Sequence, residues 1–181
     1  ARATITGHWD FNSSNLVATI GTDLADFDGN GSTLAATTFG TATIAGGTAV
    51  VMGFPACAQS QGYVMTHGIA PNGGGGYVNQ YTLIMDIMYP AASSGVYRGL
   101  WQTSTANGND ADLFVGPSNG IGISGNYSGA ILADTWHRVA FVFELGTSTL
   151  SKYIDGALVG TQALSDGLDG RWSLGPTGLL F

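Results

Sequence analysis

The chain of 181 residues carries a net charge of −7 at pH 7, and only 9% of its residues are charged. Its four Arg and one Lys are scattered, which excludes the basic surface that nucleic-acid binding requires, and no apolar run is long enough for a membrane-spanning helix. The acids are eleven Asp and one Glu. Because Asp, Asn and Gly favour turns over helices, this composition predicts a β-protein. Divalent cations, glycans and extracellular proteins remain as expected partners.

Short apolar runs recur between glycine-rich breaks about every ten residues, which is typical of a β-sandwich or jelly roll. The predicted strands cover residues 4–11, 34–44, 48–54, 77–89, 96–103, 112–116, 120–127, 136–145 and 150–160. No stretch shows sustained helical periodicity. The lone Cys57 excludes an internal disulfide, and its small apolar neighbours predict a buried thiol.

The segment ADFDGNGS begins like an EF-hand calcium loop, with Asp26, Asp28 and Asn30 at alternate positions. An EF-hand needs a bidentate Glu at the twelfth loop position, where this chain has Thr37, and the flanking residues indicate strands. We therefore interpret the segment as an acidic turn, with Asp26, Asp28 and Asn30 kept as a secondary calcium-binding candidate.

Two predictions concern the C-terminal strands. In WHRVAFVFEL the alternating residues Val139, Phe141, Phe143 and Leu145 predict a face that points into the core. In KYIDGALVG, Asp155-Gly156 between two apolar runs predicts a tight β-hairpin.

These same residues carry a resemblance. The sequence resembles laminin-G-like, concanavalin A-like jelly rolls of the bacterial type in three segments, which are TWHRVAFVFELGTSTLSKYIDGALVG, GHWDFNSSNLVATIGTDL and NQYTLIMDIMYP. The resemblance implies one domain over residues 1–181, an all-β antiparallel sandwich of two large sheets, secretion, and frequent calcium binding. Similar domains continue with a further C-terminal strand, so we expect that strand to be missing or supplied by another chain, leaving an unpaired edge for self-association.

In calcium-binding laminin-G domains an Asp precedes the strand that corresponds to residues 112–116, and a distant Asp joins it. The resemblance therefore implies a calcium site in the loop NGNDAD. The implied ligands are Asn107, Asp110 and Asp112, with Asp166 or Asp169 as the distant partner.

Catalytic chemistry has little support in the sequence. Glu144 has no second acid at the spacing of a retaining glycosidase. Tyr97-Arg98, Gln102 and His137-Arg138 supply residue types that a polysaccharide lyase uses, but the histidines are expected to be structural. A glycoside hydrolase or lyase is therefore kept only as a less favoured alternative.

The preferred hypothesis is a non-catalytic extracellular recognition module that binds carbohydrate or a protein partner. Sugar rings stack on aromatic faces, and amide side chains bond their hydroxyl groups. The candidate ligand-binding residues are Tyr97, Trp101, Gln102, Asn109 and Tyr127, although the core is the favoured place for each of the four Trp side chains. A self-assembling filament or surface-layer subunit, completed by a neighbour's strand, is the second hypothesis.

Overall fold

The computed structural model describes residues 4–58, 60–106, 111–175 and 179–180. Within these ranges the chain is all-β, with four antiparallel sheets and one short helix. The strands are β1 Ala25–Asp26, β2 Thr38–Ile44, β3 Gly47–Gly53, β4 Tyr63–Met65, β5 Gln80–Ile87, β6 Arg98–Trp101, β7 Leu113–Val115, β8 Ile121–Ile123, β9 Asn126–Ser128, β10 His137–Glu144, β11 Thr149–Ile154, β12 Ala157–Ala163 and β13 Leu179–Leu180. Helix α1 spans Ser32–Ala36, and 3-10 turns occupy Ala91–Ser93 and Leu145–Thr147.

The chain forms two compact units. In the first unit the structure describes the residues up to Ile69 together with 104–106 and 179–180. In the second unit it describes residues 70–103 and 111–175. The first unit holds a three-stranded sheet in the order β1-β4-β13 and a separate hairpin of β2 and β3. The chain's own β13 thus pairs with one edge of β4.

The second unit is a two-layered β-sandwich. One layer has the strand order β12-β11-β10-β5 and the other is the meander β6-β7-β8-β9. Tyr81 and Phe143 stack within the first layer, with ring centroids 4.5 Å apart, and the Trp101 ring of the second layer meets them edge-on at 6.0 and 5.6 Å. These aromatic contacts join the inner faces of the two layers.

The core face predicted for residues 136–145 is confirmed. Val139, Phe141 and Phe143 are fully buried and Leu145 is 2% exposed. The predicted hairpin is also confirmed, because Asp155 and Gly156 both have positive φ, at 51° and 81°, as a tight type I′ turn requires.

Three local predictions are wrong. The strand expected at residues 4–11 is reduced to one isolated bridge between His8 and Ile20. The strand expected from Leu34 begins only at Thr38, because the Asp28 carboxylate bonds Ser32 and Thr33 and residues 32–36 coil into α1. Cys57 is exposed rather than buried. Its thiol is still partly desolvated, and this desolvation raises its pKa.

Candidate binding surface

The predicted ligand-binding residues fall into two groups. Tyr97 and Tyr127 come together, with ring centroids 5.9 Å apart. Trp101 and Gln102 are only 1% and 3% exposed and lie inside the protein. Asn109 lies outside the described residues.

A β-bulge explains why Tyr97 and Trp101 separate. Strict alternation along β6 would place both side chains on one face of the sheet. The register of β6 against β7 shifts between Gly99 and Trp101, so that Leu100 and Trp101 are both buried while Tyr97 remains 60% exposed. A bulge of this kind turns one side chain to the opposite face.

Phe114 completes an aromatic cluster that the sequence analysis missed. Its ring meets Tyr97 edge-on at 5.8 Å, and both Phe114 and Tyr127 are half-buried. Tyr97, Phe114 and Tyr127 are called the aromatic surface below. Phe114 stands between the apolar Leu113 and Val115, so the sequence carries no signal for its outward position, which appears only from the burial of its two neighbours.

Glycine residues form the floor around these rings. The register across the sheet runs Gly99–Phe114–Gly122–Tyr127, so aromatic and glycine positions alternate from strand to strand. Gly122 has φ of 151°, and a Cβ there would lie 2.0 Å from the Asn126 carbonyl oxygen. A Cβ at Gly116 would lie 3.1 Å from the Tyr127 ring. Close approach of ring to backbone therefore depends on glycine.

Two buried cations brace the backbone beneath the aromatic surface. Lys152 Nζ donates to the backbone and side-chain oxygens of Asn126 at 2.7 and 2.8 Å, which anchors the start of β9. Arg98 Nη2 donates to the Gly116 carbonyl and to Asn119 Oδ1 at 3.1 and 2.7 Å. Burial lowers the pKa of both cations. The sheet that carries the aromatic surface is thus anchored at Asn126 and at Gly116 by two buried cations.

Among the residues implied as calcium ligands, Asp112 is fully buried. Its Oδ1 accepts from Arg171 Nε at 2.9 Å, and its Oδ2 accepts from the Thr103 backbone N–H and hydroxyl at 2.8 and 2.5 Å. Asn107 and Asp110 lie outside the described residues. The Asp112 carboxylate is therefore already bonded on both oxygens within the protein.

Asp169 and Asp166 lie on the turn that follows β12. Asp169 accepts from the backbone N–H groups of Gly76 and Tyr77 at 2.6 and 2.9 Å and from Asn79 Nδ2 at 2.9 Å. These hydrogen bonds, with Asn79 the largest contributor, lower the pKa of Asp169. Asp166 accepts from the neighbouring Ser165 hydroxyl at 3.1 Å. Asp169 thus ties down the glycine-rich loop at residues 71–76.

The DFDGNG segment brings two carboxylates together. Asp28 accepts hydrogen bonds from the Ser32 hydroxyl, from Thr33 and from the backbone N–H of Gly31, and these bonds, chiefly that from Ser32, hold its pKa far below its usual range. Asn30 Oδ1 caps the Ser32 N–H at 2.9 Å. Asp26 lies within hydrogen-bonding reach of Asp28. Desolvation is the largest cause that raises the pKa of Asp26, and the neighbouring Asp28 is the second. Its Oδ1 is buried without a hydrogen-bond partner in the described parts of the chain.

The residues considered for catalysis are engaged in structural contacts. His137 Nε2 accepts from the Leu132 N–H at 3.0 Å, so Nδ1 carries the proton and donates to Asp155 Oδ2 at 2.7 Å. Arg138 makes a bidentate pair with Asp86, both bonds being 2.7 Å. The neutral tautomer of His137 therefore satisfies both ring nitrogens.

Within the described ranges, no three His, Cys, Asp or Glu side chains are grouped closely enough to hold a metal ion. No helix in these ranges is long and apolar enough to cross a membrane. Comparisons with protein-family models, with curated proteins and with solved structures find no match.

Proposed function

We propose that the chain is a non-catalytic extracellular module that binds a neutral carbohydrate on the aromatic surface of Tyr97, Phe114 and Tyr127. The observation that carries the proposal is this cluster of three rings over a glycine-rich sheet, with Tyr97 exposed and Phe114 and Tyr127 half-buried. Aromatic rings in a folded protein are mostly buried, and a group of them left partly exposed is typical of a binding surface.

The chemistry of the surface favours sugars of a particular kind. Pyranose rings present apolar C–H faces, which pack on aromatic faces, while the hydroxyl group of the exposed Tyr97 can bond sugar hydroxyls. None of the three side chains is charged at pH 7, and the chain as a whole is at −7. A negatively charged protein repels anionic polysaccharides, so the proposed ligand is a neutral glycan.

The test measures binding of neutral oligosaccharides to wild type and to Tyr97→Ala and Tyr127→Ala by glycan array and calorimetry. Losing one stacking ring costs about 1–3 kcal/mol, so each variant should bind about 5- to 150-fold more weakly. Tyr97→Phe keeps the ring and should retain most of the affinity.

Tyr77→Ala is the matched control, because Tyr77 is a similarly exposed tyrosine, at 44%, that does not belong to the aromatic surface. It should bind as wild type does. The proposal is rejected if wild type binds no neutral glycan, or if Tyr97→Ala and Tyr127→Ala bind as tightly as Tyr77→Ala while remaining folded.

The finer fold assignment belongs to the same proposal. We propose the laminin-G-like, concanavalin A-like jelly roll, supported by the two facing four-stranded sheets and by the Asp155-Gly156 hairpin in the sequence that carries the resemblance. Calcium remains part of the proposal at Asp26 and Asp28, whose carboxylates lie side by side. Protein donors bond both oxygens of Asp112 and of Asp169, as they do those of Asp28, so the calcium proposal rests on Asp26, whose buried Oδ1 has no partner in the described residues.

A further inference from the structure

The hairpin of β2 and β3 is a sheet of only two strands in the described chain. None of its residues is fully buried, and the exposed positions extend along both strands. The sequence around it is also unusual, because no Asp, Glu, Lys or Arg occurs between Asp28 and Asp86. Two strands alone are marginally stable in water, so this hairpin would gain from a further strand.

The register shows which backbone groups are available for such pairing. The turn residues Ala45 and Gly46 both have positive φ, at 49° and 83°, and Ile44 is opposite Gly47. In a two-residue hairpin the pair next to the turn exchanges both hydrogen bonds, and the pairs alternate from there. The backbone N–H and C=O groups of Thr48, Val50 and Met52 therefore point away from β2.

Edge strands normally carry features that prevent pairing with another chain, such as Lys, Pro, a bulge or an inward-pointing charge. Strand β3, with the sequence GTAVVMG, has none of these features, and its register against β2 is unbroken. Its central residues Val50 and Val51 are β-branched and favour extended structure. In the described residues no backbone hydrogen bond to the outward-pointing groups is found from outside the hairpin.

Charge and symmetry identify the partner. Two copies of a chain at −7 repel each other, and they approach at lowest electrostatic cost through an uncharged surface. When two β3 strands pair antiparallel about a two-fold axis, Val50 of one copy lies opposite Val50 of the other. Thr48 of each copy then lies opposite Met52 of the other copy. Every outward-pointing group named above then meets a complementary group, as a two-fold interface requires.

We propose that the protein forms a homodimer in which β3 pairs antiparallel with β3 of a second copy, giving a four-stranded sheet in the order β2-β3-β3-β2. The dimer buries the apolar edge of the hairpin. The aromatic surface belongs to the other unit, so the proposal does not depend on glycan binding.

Sedimentation equilibrium of the full chain at increasing concentration tests the proposal. The wild type should reach twice the single-chain mass of 18.5 kDa. Val50→Lys places two like charges directly opposite each other across the dimer axis, which destabilises the strand pair, and should hold the protein at the single-chain mass. Met52 is the next residue of β3 whose backbone groups point away from β2, and Met52→Lys should also hold the protein at the single-chain mass.

Thr41→Lys is the matched control, because Thr41 lies directly opposite Val50 on β2. It puts the same charge on the same face of the hairpin but beside the other edge, and it should dimerise as wild type does. Far-UV circular dichroism confirms that each variant is folded. The proposal is overturned if the wild type stays at the single-chain mass, or if folded Val50→Lys and Met52→Lys still form the dimer.

Discussion

At the scale of single residues, the two acids of the DFDGNG segment have opposite environments. The Asp28 carboxylate accepts several hydrogen bonds and its ionised form is stabilised, whereas the ionised form of Asp26 is destabilised by desolvation and by Asp28. Because the pKa of Asp26 is raised in the folded state, this group favours folding at low pH and opposes it once the pH rises above its pKa. A neutral side chain of the same shape should remove that opposition.

Asp26→Asn should therefore raise the melting temperature at pH 7 in EDTA, whereas Asp28→Asn, which removes the same charge, should lower it. Differential scanning fluorimetry measures both. If calcium binds between the two carboxylates, adding it should raise the melting temperature of wild type and leave Asp26→Asn unchanged. A lower melting temperature for Asp26→Asn in EDTA would contradict the assignment, and equal responses of wild type and Asp26→Asn to calcium would exclude calcium at this pair.

At the scale of elements, one carboxylate holds the β11–β12 turn against β10. Asp155 accepts from His137 Nδ1 and from the Arg138 backbone N–H at 2.7 and 2.9 Å, and the bond from His137 is the main cause of its lowered pKa. A carboxylate with a lowered pKa stabilises the fold above its ordinary pKa, and this stabilisation is lost as the pH falls through the lowered value.

Asp155→Asn should cost about 1 kcal/mol at pH 7, a modest value because the carboxylate is half exposed. The difference from wild type should begin to shrink as the pH falls below about 4, the ordinary pKa of Asp, and should vanish below the lowered pKa of the folded carboxylate, where that carboxylate is also neutral. Urea unfolding over a pH series measures it. Asp134→Asn, at another left-handed turn residue, controls for the loss of one charge. A difference that is constant from pH 7 to acid would contradict the role given to Asp155.

The same elements show what sequence patterns could predict. The alternation of Val139, Phe141 and Phe143 and the Asp155-Gly156 pair depend only on neighbours along the chain, and both predictions are confirmed. The inward turn of Trp101 depends on how β6 pairs with β7, which no local pattern contains. The aromatic surface combines both cases, because Tyr97 and Tyr127 were predicted as ligand residues but their contact arises from pairing across four strands.

At the scale of the whole molecule, the apolar core is concentrated in the sandwich of residues 70–103 and 111–175. Most fully buried large side chains lie there, including Trp101, Phe141 and Phe143. The hairpin of β2 and β3, by contrast, contributes only half-buried side chains such as Phe39, which meets Phe11 at 6.2 Å. The free energy of unfolding should therefore depend unequally on the two units.

Phe143→Ala should lower the free energy of unfolding by about 3–5 kcal/mol, because it leaves a cavity between Tyr81, Trp101 and Trp172. Phe39→Ala removes the same atoms from a half-exposed position and should cost about 1 kcal/mol. Urea denaturation of the pair measures the difference. Equal losses would show that the hairpin contributes as much to stability as the sandwich does.

The buried lysine has a chemical consequence. Lys152 is the only lysine of the chain, and its side chain is fully enclosed between the sheets of the sandwich. The neutral amine attacks the acyl carbon of an acylating reagent and expels its leaving group, so this side chain reacts only when the sandwich opens far enough to admit the reagent and a base that takes up the released proton. Acylation that is mapped to Lys152 therefore reports opening of the core, and the one lysine of the sequence is a built-in probe of unfolding.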